Sequence, residues 1–246
     1  MSPIVIIPAR LGSTRLPGKP LARIGDAPMI VQVWRRAVAA DIGPVAVACA
    51  EAEIAAVIES AGGRAVLTRP DHPSGSDRVF EALQTLDPAA RHDVAVNLQG
   101  DLPLIDPAAI RAALTPLADV AVDIATLAAP IRDPREIDEA SVVKIAAAFA
   151  PGARTARALY FSRLPVPWGE GERYHHIGIY AYRRAALARF VGLPPGGLEQ
   201  RERLEQLRAL EAGMRIAVAL VDTVPLGVDT PEDLARARTL YASAAS

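Results

Sequence analysis

The sequence predicts an α/β fold in which a mostly parallel, doubly wound sheet carries helices on both faces. The 246 residues suffice for one large domain or two small ones, and 51% of them are hydrophobic. Over about the first 120 residues, short apolar runs alternate with stretches of helical periodicity, which is typical of repeated β-α units. Because crossovers between parallel strands are right-handed, the loops after these strands should gather at one sheet edge, where ligands bind.

The elements of this first part each have a local sequence signal. Continuous apolar runs, typical of strands covered on both faces, occupy residues 5–8, 45–49, 65–68 and 94–98. Apolar residues at helical spacing occupy 29–38, 54–58, 78–86 and 107–114. Pro28 suits the first position of a helix, and Gly62 and Gly63 suit the end of the next one.

The pattern changes after about residue 120, where we expect a smaller inserted region of mixed β-structure. Its predicted strands are 123–128, 142–149, 176–182 and 216–221, with helices at 198–212 and 231–241. No linker of low complexity interrupts the chain. We therefore predict a single domain over 1–246, with halves at about 1–120 and about 121–220 and a closing strand-loop-helix segment at 221–246.

Charge and composition narrow the classes of protein. The net charge of −1 argues against a nucleic-acid binder, and no apolar run of about 18 residues predicts membrane insertion. The N-terminus lacks the layout of a signal peptide. The single Cys49 lies in a predicted buried strand and reads as a structural thiol, which fits a reducing, cytoplasmic setting.

The loop after the first predicted strand combines positive charge with glycine. Arg10, Arg15 and Lys19 lie within ten residues and would repel one another unless an anion lies between them. The backbone amides from Leu11 to Ser13 add further donors, so the loop suits a triphosphate. A Walker A loop is excluded because the spacing of its glycines is one residue too long and a proline follows the lysine.

Acidic residues follow the fourth strand and precede the last helix. Asp101 comes after Gly100, which would let a ligand approach, and Mg²⁺ prefers a few carboxylates together with substrate phosphates and water. Asp106 explains the next helix start better than Asp101 does. Asp229 precedes a predicted helix whose start is explained by Thr230 as the N-cap, Pro231 at the first helical position and Asp233 at the third. Asp229 is not needed for that cap, so it is either a loop acid or a second magnesium ligand. Gln99 shares a face with Asp101 if the strand continues, and suits a sugar hydroxyl or carboxylate.

Two further segments carry polar groups. Ser74 and Gly75 suit contact with a base, with Arg78 on a phosphate or ribose, although a helix start capped by serine explains the pattern equally well. His72 reads as a surface loop residue rather than a catalyst. His175 and His176 should point to opposite faces of a strand and therefore not bind one metal together, although one of them suits a substrate pocket.

Together these motifs resemble the 3-deoxy-manno-octulosonate (Kdo) cytidylyltransferase family, within the sugar nucleotidyltransferase superfamily. The resemblance covers nearly the whole chain. The segments that carry it are 7–20, 28–30, 68–75, 97–101, 143–144, 158–163, 176–180, 204–208 and 227–234.

The resemblance implies a Rossmann-like fold of the nucleotide-diphospho-sugar transferase type and a cytoplasmic homodimer that uses CTP. It also implies Mg²⁺ held by Asp101 and Asp229, a CTP-binding first half, and a second half for the sugar and the dimer contact. The catalytic residues are then Arg10, Arg15, Lys19 and Asp101. The implied nucleotide-binding residues are Ala9, Leu11, Gly12, Ser13, Ser74, Gly75 and Arg78. Those implied for the sugar acid are Gln99, Arg163, His176, Tyr180, Glu205 and Gln206, with Arg163 on the carboxylate.

The chain departs from the family pattern at several positions. Leu102 replaces a glutamate, residues 76–77 and 139–141 differ, and the loop after Trp168 is short. These departures leave open a cytidylyltransferase for another acidic sugar, such as 8-amino-Kdo or a relative of sialic acid. From a different class, a non-catalytic nucleotide-binding regulator on the same fold would bind CTP without releasing pyrophosphate.

Overall fold

A computed structural model of the chain describes residues 1–12 and 15–244. The chain divides into two compact units, residues 1–110 with residues 225–246, and residues 111–224. Each unit combines strands and helices, so the fold is mixed α/β. Within the described ranges no helix has the length and apolar character needed to span a bilayer.

The first unit contains a four-stranded parallel sheet. Its strands are β1 (Pro3–Ala9), β4 (Val45–Cys49), β5 (Arg64–Leu67) and β6 (Val94–Asn97), while β2 (Arg23–Ile24) and β3 (Ala27–Pro28) form a small hairpin. The order in space is β5-β4-β1-β6. The helices that follow strands in this part of the chain are α1 (Met29–Ala39), α2 (Ala52–Ser60), α3 (Gly75–Leu86) and α4 (Pro107–Ala112).

The central strands are apolar throughout because both of their faces are covered. Val5, Ile6 and Ile7 of β1 have no exposed surface, and neither do Val47 and Cys49 of β4. This confirms the runs at 5–8 and 45–49 as buried parallel strands and Cys49 as a buried free thiol. The run at 65–68 also forms a parallel strand, but β5 lies at the sheet edge and Leu67 is 59% exposed, so the prediction of two covered faces is wrong there. The loops that follow β1, β5 and β6 at their carboxyl ends hold Arg10, Ser74 and Asp101, whereas Asp229 lies in the segment before the last helix.

The second unit is the mixed β region that the sequence predicts. Its strands are β7 (Ile124–Pro130), β8 (Lys144–Ala147), β9 (Thr155–Ser162), β10 (Tyr174–Arg183) and β11 (Ile216–Leu220), in the order β10-β7-β11-β9-β8. β7 and β11 are parallel, and the other described pairs are antiparallel. Its helices are α5 (Arg135–Asp138), α6 (Arg184–Val191), α7 (Gly197–Glu202) and α8 (Gln206–Glu211).

The predicted helix over 198–212 is two helices. The chain breaks at Arg203, which adopts φ 55° in the left-handed region, and α8 starts again after Glu205. The break buries Leu204 and Leu207, which are at most 7% exposed. Burial of these side chains therefore overrides the helical propensity of a charged, leucine-containing segment.

The last helix, α9 (Pro231–Ala244), returns to the first unit. Leu234 and Ala237 of α9 pack against Ile24 and Met29 in one buried cluster. The Tyr241 hydroxyl donates a hydrogen bond of 2.7 Å to an Asp26 carboxylate oxygen. The C-terminal helix thus supports the hairpin directly behind the basic loop.

Candidate active site

The basic loop leaves β1 at Ala9 and reaches a 3₁₀ turn over Lys19–Leu21. Gly18 precedes this turn with φ 67°, a conformation that glycine adopts without strain. Pro20, the middle residue of the turn, is buried and anchors it. Ser13, one of the predicted phosphate-binding residues, lies outside the described residues.

Lys19 lies between the two predicted acids. Its Nζ atom is 2.9 Å from Asp101 Oδ2 and 2.9 Å from Asp229 Oδ1. Arg15 Nη2 is 3.1 Å from the other oxygen of Asp229. Two cations and two carboxylates from three distant segments of the chain therefore converge, and the Lys19 side chain is only 16% exposed there.

The pKa values follow from this contact. Burial alone would lower the pKa of Lys19, but the charge of Asp101 and the hydrogen bonds to Asp229 and Asp101 outweigh burial and raise it. Burial would raise the pKa of Asp229, but its bond to Lys19 and the charges of Lys19 and Arg15 lower it. Both shifts favour the charged forms, so Lys19 and Asp229 are ionised at neutral pH.

Backbone contacts fix both carboxylates. The amide of Val228 donates to the carbonyl of Asp101 at 3.0 Å, which ties the segment before Asp229 to the loop after β6. A Cβ atom on Gly100 would lie 2.9 Å from the carbonyl oxygen of Pro8, so glycine is required there by the close backbone and not only by a ligand.

The start of α9 leaves the Asp229 side chain available to the cluster. The amides of Asp229 and Thr230 donate to Asp233 Oδ2 at 3.1 and 3.0 Å, and the Thr230 hydroxyl accepts from the Asp233 amide. These bonds confirm the reciprocal cap that the sequence predicts. Asp106 likewise accepts from the Ala108 amide at 2.8 Å, which confirms it as the cap of α4.

Two cavities open beside the cluster, and both include Ala9, Arg10, Gln99 and Asp101. The first has a volume of about 300 Å³ and is lined in addition by Gly12, Arg15, Lys19 and Gly100. The second, of about 290 Å³, is lined in addition by His72, Ser74, Gly75 and Arg78. Except for Leu11, the described residues that are predicted to bind the nucleotide therefore line these two cavities, which share part of their walls.

Leu11 and Arg78 make contacts that the sequence does not reveal. The Leu11 amide, predicted to face phosphate, donates to Glu51 Oε1 at 3.0 Å. Arg78 is 3% exposed and donates to Thr68 Oγ1 and to the Arg69 carbonyl. Burial, together with the charge of Arg10, lowers the pKa of Arg78, while the charge of Glu51 opposes this lowering.

Ser74 caps α3, as one of the two sequence readings predicts. Its hydroxyl oxygen accepts from the Asp77 amide at 3.3 Å and its hydroxyl donates to Asp77 Oδ2 at 2.7 Å. Its place in the cavity wall is compatible with a second contact to a ligand.

His72 is not a surface residue, contrary to the sequence prediction. It is 8% exposed, and its Nε2 atom contacts Glu81 Oε2 on α3. The residues next to His72 in sequence do not indicate this burial, because its contact is with Glu81, nine positions away.

In the second unit, Arg163 is held by backbone carbonyls. Its guanidinium donates to the carbonyls of Glu202 at 2.9 Å and Ala140 at 3.0 Å. Lys144 is fully buried and donates to the carbonyl of Arg163 itself at 2.7 Å. Arg163 is therefore fixed in position, and its role in binding a carboxylate stays a prediction.

The remaining sugar-side residues lie on β10 and around the start of α8. Thr126 Oγ1 is 3.0 Å from His176 Nε2, and burial, with the charge of His175, lowers the pKa of His176 to about 3. Burial, then Tyr182 and Glu205, raises the pKa of Tyr180. Gln206 is buried, and its Nε2 atom has no hydrogen-bond partner within residues 1–12 and 15–244. These groups are neutral at physiological pH and suit hydroxyl recognition.

The acids of the first unit fit a hard divalent cation. Asp101 and Asp229 point one oxygen each at the same ammonium nitrogen, so they already converge on a positive charge. In residues 1–12 and 15–244, no three or more His, Cys, Asp or Glu side chains form a group suited to a metal. A cation held there would take its other ligands from water and phosphate, which Mg²⁺ tolerates.

The fold and this site define an α/β protein in which a cationic loop and a pair of acids form a site suited to a polyphosphate. A family model described as Cytidylyltransferase matches residues 4–216. The chain belongs to this cytidylyltransferase family.

Curated relatives and solved structures agree with this. The chain is 66% identical over 238 residues to a 3-deoxy-manno-octulosonate cytidylyltransferase of Methylobacterium radiotolerans, covering 97% of this chain and 96% of the relative. It is 64% identical over 239 residues to the enzyme of the same name from Rhodospirillum centenum, covering 97% of this chain and 93% of that one.

A solved structure of CMP:2-keto-3-deoxy-manno-octonic acid synthetase complexed with CTP aligns with a TM-score of 0.91 at 38% identity, over 99% of this chain and 100% of the other. A cytidylyltransferase from Leptospira borgpetersenii aligns at 17% identity with a TM-score of 0.64, over 99% of this chain and 87% of the other, and so shares the fold.

Proposed function

We propose that the protein transfers a cytidylyl group from CTP to 3-deoxy-D-manno-octulosonate, forming CMP-Kdo and pyrophosphate for lipopolysaccharide biosynthesis. The observation that carries this proposal is the convergence of Lys19, Arg15, Asp101 and Asp229 beside two cavities of nucleotide size. The named relatives and the CTP-bound neighbour add the identity of the two substrates.

The chemistry is an in-line displacement at the α-phosphorus of CTP. The anomeric hydroxyl oxygen of Kdo forms the new bond to phosphorus, and the bond to the β-phosphate oxygen breaks to release pyrophosphate. Arg10, Arg15 and Lys19 bind the β- and γ-phosphates and offset the charge that builds on the leaving group. Catalysis is therefore mostly positioning and electrostatics.

Asp101 and Asp229 are the residues that would hold Mg²⁺. When bound there, such an ion would supply positive charge to offset that of the phosphates and would lower the pKa of the attacking hydroxyl. For Asp101 and Asp229 to take this role, Lys19 moves its ammonium from the two carboxylates to a phosphate. The flexible four-carbon side chain of lysine permits such a move without change in the backbone.

For the acidic sugar, we propose the residues of the second unit that the family resemblance names. Arg163 is placed on the carboxylate, and the neutral groups His176, Tyr180 and Gln206 on hydroxyls. Support comes from the buried, unpaired amide nitrogen of Gln206 and from the low pKa of His176, which keeps its ring neutral. Glu205 belongs to the same set, while Gln99, which the resemblance also assigns to the sugar, lies in the first unit beside Asp101.

We also propose that the fold is of the Rossmann-like, nucleotide-diphospho-sugar transferase type and that the enzyme is a cytoplasmic homodimer. The support is the parallel sheet order β5-β4-β1-β6 and the family resemblance. Sedimentation of the purified protein tests the dimer, and a mass of 26.0 kDa in solution would contradict it.

A panel of acidic sugars tests the substrate. Each sugar is incubated with enzyme, CTP and Mg²⁺, and the nucleotide product is identified by mass. The proposal predicts a CMP adduct with Kdo at a higher kcat/KM than with 8-amino-Kdo or a sialic acid. An adduct with one of the others only would keep the reaction and change the sugar. CTP binding without any adduct would instead favour a nucleotide-binding regulator.

A further inference from the structure

His72 is a cavity-lining residue to which the proposed chemistry gives no task. It lies between β5 and α3 and forms the wall of the second cavity together with Arg10, Ser74 and Gly75. More than nine-tenths of its surface is buried. The phosphate groups are assigned to the loop cations, so this wall is left to face the nucleoside.

The ring of His72 is held in one orientation. Its Nε2 atom contacts Glu81 Oε2, and the two oxygens of Glu81 also accept from the Arg69 amide at 3.3 Å. Arg78 fastens the same segment through the carbonyl of Arg69 at 3.1 Å. The segment that carries His72 is therefore tied to α3 at several points and arrives at the cavity preorganised.

The contact with Glu81 fixes which tautomer a neutral His72 ring adopts. A carboxylate oxygen accepts the hydrogen bond, so in that tautomer Nε2 carries the proton and Nδ1 is an acceptor. The Nδ1 atom is buried and has no hydrogen-bond partner among the residues that the structure describes. A buried polar atom without a partner is costly, which makes it a group that a ligand donor would satisfy.

We propose that His72 sets the base specificity of the nucleotide site, with its Nδ1 atom accepting a hydrogen bond from the exocyclic amino group of cytosine. Uracil carries a carbonyl oxygen at that position, which would bring two lone pairs together. A site that loses a hydrogen bond and gains this repulsion rejects the wrong base strongly. This inference rests on the proposed function for the identity of the base.

Two substitutions separate the two nitrogens of the ring. The amide of glutamine reaches the position of Nε2, so His72→Gln keeps a donor to Glu81 and removes the acceptor. The shorter amide of asparagine lies near the position of Nδ1, so His72→Asn keeps an acceptor and loses the contact with Glu81. Binding of CTP and of UTP, each with Mg²⁺ and without sugar, is measured by calorimetry for the wild type and both variants.

We expect the wild type to prefer CTP, His72→Gln to reduce the ratio of CTP to UTP affinity by about tenfold or more, and His72→Asn to keep that ratio within about threefold. An unchanged ratio in His72→Gln, or an equal loss for both nucleotides in both variants, would overturn the assignment. Thermal denaturation checks that each variant is folded.

The same titration separates this inference from the proposed function. A wild type that prefers CTP over UTP but forms no adduct with any acidic sugar would contradict the proposed reaction and leave the role of His72 to be decided by the variants. A wild type that binds CTP and UTP equally would overturn the role of His72 even if CMP-Kdo is formed. Binding of neither nucleotide would overturn both.

Discussion

Lys19→Met removes the ammonium that joins the two acids and leaves Asp101 and Asp229 without that partner. Because the two carboxylate side chains are 30% and 47% exposed, solvent screens them, and the loss lies between that of a surface pair and that of a buried pair. We expect the free energy of unfolding to fall by about 1–2 kcal/mol, which lowers Tm by about 2–8 °C. Without a cation on the leaving phosphates, kcat/KM for CTP should fall by about 100-fold or more.

The same variant tests the cation site without activity. In the wild type the ammonium competes with Mg²⁺ for the two carboxylates, whereas in Lys19→Met it no longer does. Differential scanning fluorimetry with and without Mg²⁺, in the absence of nucleotide, should therefore show a larger rise in Tm for the variant than for the wild type.

The matched control is Arg23→Met. Arg23 is exposed, and its guanidinium donates to the Asp26 carbonyl rather than to the cluster. It should change Tm by less than about 2 °C and leave the response to Mg²⁺ as in the wild type. The reasoning is refuted if Lys19→Met keeps kcat/KM for CTP within about threefold of the wild type, or if Mg²⁺ stabilises the wild type as much as the variant.

Three other predictions concern stability. The pKa of Lys19 is raised above 10.5, so the stability that its charge contributes is complete below that pH and is lost as the pH rises through the pKa of the folded state. The free energies of unfolding of the wild type and Lys19→Met, measured by urea denaturation, should therefore converge at alkaline pH. A difference that stays constant with pH would contradict this. Arg203 adopts a left-handed conformation with φ 55°, which costs a non-glycine residue about 1 kcal/mol, so Arg203→Gly should raise Tm. A lower Tm would show that the contacts of the arginine side chain matter more than the backbone strain. Gly25→Ala places a Cβ atom against the Tyr241 ring and should lower the free energy of unfolding by about 2 kcal/mol or more. Gly62→Ala, at φ 83° with open space around it, should lower it by only about 1 kcal/mol. Equal losses in chemical denaturation would contradict the contact between residue 25 and Tyr241.

The parts of the fold that could be predicted are those with a local cause. β4 has the predicted bounds, Val45–Cys49, because a strand buried on both faces must be apolar throughout. The sequence also shows that Asp229 is not needed to cap α9, because Thr230 and Asp233 account for the cap by themselves. Its meeting with Lys19, 210 residues away in sequence, has no local signal and follows only from the strand order of the first unit.

The parts that could not be predicted depend on distant contacts. β9 escaped prediction, since Thr155, Arg157 and Leu159 are exposed on one face while the other carries few large apolar residues. The break at Arg203 comes from the burial of Leu204 and not from a glycine or proline. The hydrogen bond from the Leu11 amide to Glu51 joins two loops that are 40 residues apart.

The central claim is that the cluster around Asp101 serves cytidylyl transfer to Kdo, and release of pyrophosphate tests it most directly. Initial rates are measured with Mg²⁺ for the wild type, for Asp101→Asn and for Asp106→Asn, a control in which asparagine caps α4 equally well. The account predicts that release requires both CTP and Kdo, that Asp101→Asn loses it while keeping its Tm within a few degrees, and that Asp106→Asn retains it. Release without Kdo, or near-normal release by Asp101→Asn, would contradict the account.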